Sequence, residues 1–288
     1  MRRREMMLAS AVAMLGWQAF EVGQAAAAGR KKQKVLFFTR SPIWEHPWIT
    51  REASALSKIE GIFTELGRKA GLEVVCTKDG AVFDGDLDPY DAIAFYATGN
   101  LLSEKCETRQ PGTPMSSRGK QRLLAAVEAG KGFVGIHPAT TCFPSTGIDP
   151  FVAMIGAEFI MHDRPQVATM RVTSPKFPGV EGLGNEFSLF EEWYAQRKFA
   201  KDLHVILVQE TAGMQGVWYQ RPPFPATWAR MHGKGRVFYT SMGHQEIWNN
   251  RIFRQVLLGG IAWALHNIEA DVTPNIAQVT PGANELKK

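Results

Sequence analysis

The run Gly132-Phe133-Val134-Gly135-Ile136-His137-Pro138-Ala139 reads as an apolar strand that breaks into a sharp turn. Enzymes that expose a nucleophile on such an elbow place Ser or Cys there, flanked by glycine or small residues. In this chain the elbow position is His137. A neutral imidazole attacks carbonyl carbon far less well than a thiolate, so acyl transfer through a thioester is not expected. Two other chemistries suit the residue. His46, His162 and His244, together with Glu191 or Glu192, supply further donors of the types that bind a first-row divalent ion such as zinc. Imidazole also titrates near neutrality and serves as a general acid or base. We therefore assign His46, His137, His162 and His244 as candidate metal ligands, and His137 and His244 as candidate acid-base groups. Glu191 and Glu192 are adjacent, so on a strand they face opposite ways and only one is expected to enter the site.

The elements that must position these residues alternate along the chain. Apolar strands are expected at 34–39, 72–76, 90–96 and 132–136. Helical spacing of apolar residues spans 51–70 and 117–129, each stopped by a glycine. Strands this apolar, alternating with helices, predict an α/β fold whose parallel sheet is covered on both faces. Ligands of such sheets bind beyond the carboxyl ends of the strands. His46, Asn100, His137, Thr140 and His244 all follow predicted strands. Less regular strands are expected at 168–172 and 204–208, and a hairpin joins 225–230 to 236–240 through Gly233. A closing helix spans 249–266, and residues 271–288 read as a loosely held tail. Residues 104–117 read as a loop or lid, and Cys142 falls within an expected helix after the elbow. His204, His232 and His266 fall at a strand start, a turn and a helix end, where structural roles are expected.

The chain has 288 residues, a net charge of +5 and ordinary globular composition. Residues 1–28 stand apart: Arg2-Arg3-Arg4, an apolar stretch, then Ala25 to Ala28. That is the pattern of a secretory leader, and Arg3-Arg4 also fits the twin-arginine type. It predicts a periplasmic or secreted protein with no stable membrane anchor once the leader is cleaved. The charge is mild and forms no basic stripe among aromatics, so nucleic acid is not an expected partner. No Gly-x-Gly-x-x-Gly follows the first strand, so no nucleotide cofactor is expected. The three cysteines lack metal-site spacing; an exported chain could pair Cys106 with Cys142, and sequence alone does not choose.

The order of several short motifs resembles the ThuA-like (trehalose-utilisation) family, within the class I glutamine amidotransferase-like superfamily. They are Lys34 to Thr39 with His46, Gly132 to His137, Ile155 to Phe159 with His162, Glu191-Glu192-Trp193-Tyr194, Pro225 to Trp228, and Gly233 to His244. The resemblance implies one domain over 34–268 with a flavodoxin-like three-layer α/β/α sandwich and a mostly parallel central sheet. In the amidotransferase relatives the elbow carries Cys and a later His-x-Glu completes a triad; here His244-Gln245-Glu246 retains the later wording alone. The resemblance favours Glu192 over Glu191 as the third catalytic group. It implies a small carbohydrate ligand, a sugar, keto-sugar or glycoside, handled by acid-base chemistry with or without a metal. By residue type Tyr194 and Trp228 could stack on sugar or fill the core, and Asn100 and Thr140 could bond sugar hydroxyls or cap a turn and a helix. The alternative is a non-catalytic carbohydrate-binding or envelope protein. A homo-oligomer is compatible with either.

Overall fold

The structure, a computed structural model, describes residues 32–108 and 110–286. The leader expected at 1–28 lies outside the described residues. From Lys34 the order is β1 (Lys34–Phe38), α1 (Lys58–Lys69), β2 (Glu73–Thr77), β3 (Ala92–Phe95), α2 (Ser117–Glu128) and β4 (Gly132–Ile136). Then come α3 (Pro150–Ile155), β5 (Glu158–Met161), β6 (Gln166–Val172), β7 (Glu186–Glu191), β8 (Ala195–Arg197) and β9 (His204–Gln209). The chain closes with β10 (Phe224–His232), β11 (Gly235–Thr240), α4 (Arg251–Ala264) and α5 (Ile276–Val279). A nine-stranded sheet runs β2-β1-β3-β4-β11-β10-β9-β6-β7. The five strands from β2 to β11 are parallel, and β10, β9, β6 and β7 extend them as antiparallel neighbours. β5 and β8 form a separate pair.

Strand pleat explains why both faces need helices. Phe37 and Phe38 are neighbours in β1 and point to opposite sides. Phe37 stacks on Phe63 of α1 with ring centroids 4.1 Å apart. On that same face Phe238 sits against Gly260 of α4. Phe38 meets Phe83 and Phe95, and Phe95 and Phe133 pack on Phe151 of α3. The result is the flavodoxin-like α/β/α sandwich, with every residue of β3, β4, β9 and β11 buried.

Local chemistry corrects three expectations. The first helix begins at Lys58 rather than 51, because Ser57 and Glu60 form a reciprocal capping box. The elbow leads into a 3-10 turn, His137–Thr141, and Cys142 follows that turn rather than lying in a helix. The tail is held: Asn275 Oδ1 accepts from Val205 N at 2.6 Å, Asn284 bonds Phe199, and Arg221 donates to the Ala283 carbonyl. Cys76, Cys106 and Cys142 are free thiols, so the Cys106–Cys142 disulfide is absent; Cys142 donates to Ala97 O, and burial raises its thiol. The 104–117 segment is a loop tied to the end of β1, where Thr108 donates to Ser41 O and Gln110 accepts from Ser41 N. No helix among the described residues is long and apolar enough to cross a membrane.

Candidate functional site

Three parallel-strand ends and one antiparallel one converge on a small group of imidazoles. β4 ends at Ile136 and delivers His137 with a φ of +43°, a left-handed conformation uncommon outside glycine. Its neighbours over-determine it. Tyr239 Oη donates to His137 O at 2.8 Å, and Gly243 approaches so closely that a Cβ there would lie 2.6 Å from His137 Cβ. His137 is fully buried, and its Nδ1 lies 2.6 Å from Ser241 O. A carbonyl can only accept, so Nδ1 carries the proton and the Nε2 lone pair faces the site.

His46 follows β1 and heads the 3-10 turn Pro47–Ile49. Its ring centroid is 5.5 Å from that of His137 and 5.5 Å from that of His244. Desolvation, then the nearby His137, holds its pKa down at about 3, so the ring is neutral in the folded protein. His244 follows β11; its Nε2 lies 3.1 Å from Gln245 Nε2 and 3.8 Å from Glu192 Oε1. The side chain of Glu246 lies outside the described residues.

Glu192 is the hub. It sits one residue beyond β7, with Oε2 3.5 Å from His137 Nε2 and Oε1 3.5 Å from His162 Nδ1. Burial raises its carboxyl, and only imidazoles that carry a proton toward it, His137 first, would lower it. Glu191, the last residue of β7, is buried beside the cluster and turns to backbone. Glu191 accepts from the backbone N–H groups of Gly243 and His244. Burial pushes its carboxyl up, against three backbone N–H donors, spread over both oxygens, that favour the anion.

The metal-competent core is narrower than the four histidines assigned. One donor atom each from His46, His137 and Glu192 lie within 4.8 Å of one another. His46 Nε2, His137 Nε2 and Glu192 Oε2 are all buried without a hydrogen-bond partner. These are the donor types of a zinc site, and the Ser241 carbonyl orients His137 as an outer-shell partner would. His162 and His244 stand at the edge, with side chains 37% and 21% exposed. His162 Nδ1 lies 3.1 Å from Asp163 O, which engages the proton-bearing nitrogen.

The proposed sugar contacts fare differently. Tyr194 is in the cluster, but it is covered: its ring lies 4.0 Å from His137 and is stacked at 5.6 Å with His162. Trp228 is core, fully buried, with Nε1 donating to Ile155 O and its ring 4.3 Å from that of Tyr239. Thr140 is also internal, bonded to Tyr239 Oη and Gln196 Nε2. Asn100 is exposed and caps a turn by accepting from Leu102 N. His204 bonds Ser174 Oγ and Thr273 O, away from the cluster. Tyr96 was missed by sequence reasoning. It donates to Gly243 O at 3.0 Å, and its ring lies 5.6 Å from His46. Its place just after β3 was the available signal.

A sequence profile described as trehalose utilisation, ThuA, matches residues 34–264. The chain belongs to the ThuA family. Among solved structures it is similar to a ThuA-like protein from Parabacteroides merdae ATCC 43184, at TM-score 0.62 and 16% identity, covering 85% of this chain and 94% of that one. A ThuA-like protein from Bacteroides uniformis ATCC 8492 gives TM-score 0.58 and 18% identity over 82% and 93% of the two chains. At these identities the likeness establishes the fold. No curated protein matches the chain. Family membership supports a role related to carbohydrate use, within which the imidazole cluster is the feature to explain.

Proposed function

We propose that this ThuA-family protein is an exported enzyme that acts on a sugar or keto-sugar derivative at a divalent-metal site, zinc being the ion that best suits the donors. The observation that carries the metal assignment is the unpartnered pair His137 Nε2 and Glu192 Oε2. Both are acceptors, both are buried, and they stand 3.5 Å apart. Two lone pairs facing each other in a dry site repel unless a cation lies between them. A proton would serve one pair; the third unpartnered atom, His46 Nε2, favours a metal. His46, His137 and Glu192 would hold it.

The ion would polarise a carbonyl or hydroxyl oxygen of the sugar as a Lewis acid. The chain's own residues do the rest. Gln245 Nε2 faces His244 Nε2, which supports a lone pair on that nitrogen and a role for His244 as the base for a proton beside the polarised group. Ser241 O keeps the proton of His137 on Nδ1 and its lone pair inward. Tyr194 and Phe159 pack together beside the cluster, with ring centroids 4.4 Å apart. The sugar component rests on the family description. Action outside the cytoplasm rests on the leader pattern of residues 1–28.

The test is metal analysis of the purified protein by plasma mass spectrometry, with His46→Ala, His137→Ala and Glu192→Gln alongside, and circular dichroism to check folding. One zinc per chain, lost in folded variants, is the expected result. A wild-type protein that takes up none of zinc, manganese or nickel would overturn the metal assignment. Incubation of metal-loaded protein with trehalose, sucrose and their keto derivatives, read by anion-exchange chromatography, then tests turnover. Binding without turnover would support the carbohydrate-binding alternative instead.

A further inference from the structure

One buried carboxylate beside the cluster is held by backbone amides. Glu191 is 2% exposed and spends its oxygens on backbone. Oε2 accepts from Gly243 N at 3.1 Å, and Oε1 accepts from His244 N at 3.2 Å and from Glu192 N at 2.8 Å. It thereby ties the end of β7 to the loop after β11, segments more than fifty residues apart. The peptide it grips is held from its other end as well. Gly243 O accepts from Tyr96 Oη at 3.0 Å and from Trp248 Nε1 at 2.7 Å. The same loop supplies Ser241 O to His137 Nδ1 at 2.6 Å. Gly243 has no room for a side chain, because His137 Cβ occupies that space.

We infer that Glu191 is a positioning residue, whose carboxylate sets the spacing of His244 and His137 against Glu192. The inference rests on the proposed site being the reacting centre, but its geometry does not depend on any metal. Two acceptor oxygens bridging three amides fix both the distance and the rotation of the two loops, which a single-acceptor amide side chain cannot reproduce. Fixing the loops fixes what they carry: His244 Nε2 to Glu192 Oε1 is 3.8 Å, and His137 Nε2 to Glu192 Oε2 is 3.5 Å. A buried carboxyl serving packing alone would hold the two strands without changing imidazole environments.

The experiment uses the mature protein and Glu191→Gln, which keeps size and shape. Amide hydrogen exchange at Gly243 and His244 should accelerate at least tenfold. The ring nitrogen signals of His244 and His137 should shift in two-dimensional NMR, while those of His204 stay in place. Affinity for zinc, added alone as its chloride, should fall about tenfold or more with little change in the thermal midpoint. Wild-type exchange rates, or unmoved His244 and His137 signals in the folded variant, overturn the inference. If Glu191→Gln does not fold, Glu191→Asp carries the test with the same two readouts: it keeps the charge and shortens the reach by one methylene. Failure of the wild-type protein to take up zinc overturns the metal assignment alone, since exchange and ring signals need no metal.

Discussion

Two buried charge groups meet at consecutive residues, Glu45 and His46, and they are built in opposite ways. In the first, every charge has its partner. Lys78 Nζ donates to Glu45 Oε1 at 2.7 Å and to Thr39 O at 2.9 Å. Thr39 Oγ1 donates to Glu60 at 2.6 Å, and Arg51 forks onto both Glu60 oxygens at 2.8 Å. In the second, His46, His137 and Glu192 are equally buried, yet each leaves a polar atom unpaired. The first group is scaffold: it ties β1, β2 and α1 together and fixes the loop that carries His46. The second is the proposed site: its unsatisfied buried polar atoms cost stability that a bound cation or substrate would return.

The sharpest way to break this contrast is to remove one partner from each group. Glu60→Ala strands a mostly buried Arg51 and should cost about 3–5 kcal/mol in urea denaturation, while zinc uptake per folded chain stays intact. A loss below about 1 kcal/mol would show that the first group is not scaffold. Acid should expose the same dependence. Burial pushes the Glu60 carboxyl up, but Arg51, Thr39 and the Ser57 N–H outweigh that and hold it below its ordinary 4.5. Its contribution is therefore full above pH 4.5 and lost as pH falls through the lower folded value, so Glu60→Gln should flatten the acid limb of stability against pH.

The site should respond with the opposite sign. Glu192→Gln replaces an acceptor facing the His137 lone pair with a donor, and should leave metal-free stability unchanged or raised by about 1 kcal/mol while abolishing zinc uptake. Strong destabilisation would mean that Glu192 is structural after all. The smallest effect is expected at Asn100→Ala. Its exposed turn cap should be worth within about 0.5 kcal/mol by calorimetry. Loss of sugar binding in that variant would restore it to the site.

Much of this arrangement is visible in the residues. The apolar strands, the elbow at His137 and the recurrence of histidine after strand ends follow from patterns with periods of two and 3.6 and from the rule for parallel sheets. Three things were hidden. Glu191 gained its role from amide groups in a loop that only folding brings near. Trp228 and Thr140 suit ligand contacts by residue type and chain position, yet strand register turns Trp228 into the core and the 3-10 turn after β4 does the same to Thr140. The capping box at Ser57 was present in the letters but outweighed by apolar spacing upstream.

By itself, the chain's pattern of apolar runs and punctuating glycines determined the alternating α/β layout and the residue types available for chemistry. Periodicity and local turn preference act between near neighbours, so they can be read without coordinates. Only the tertiary structure decided that His46, His137 and Glu192 share one dry space, that His162 and His244 flank it, and that Glu191 binds backbone instead of imidazole. Those outcomes depend on distances between segments far apart in the chain. Such distances are set by sheet order and by which buried polar atoms find partners.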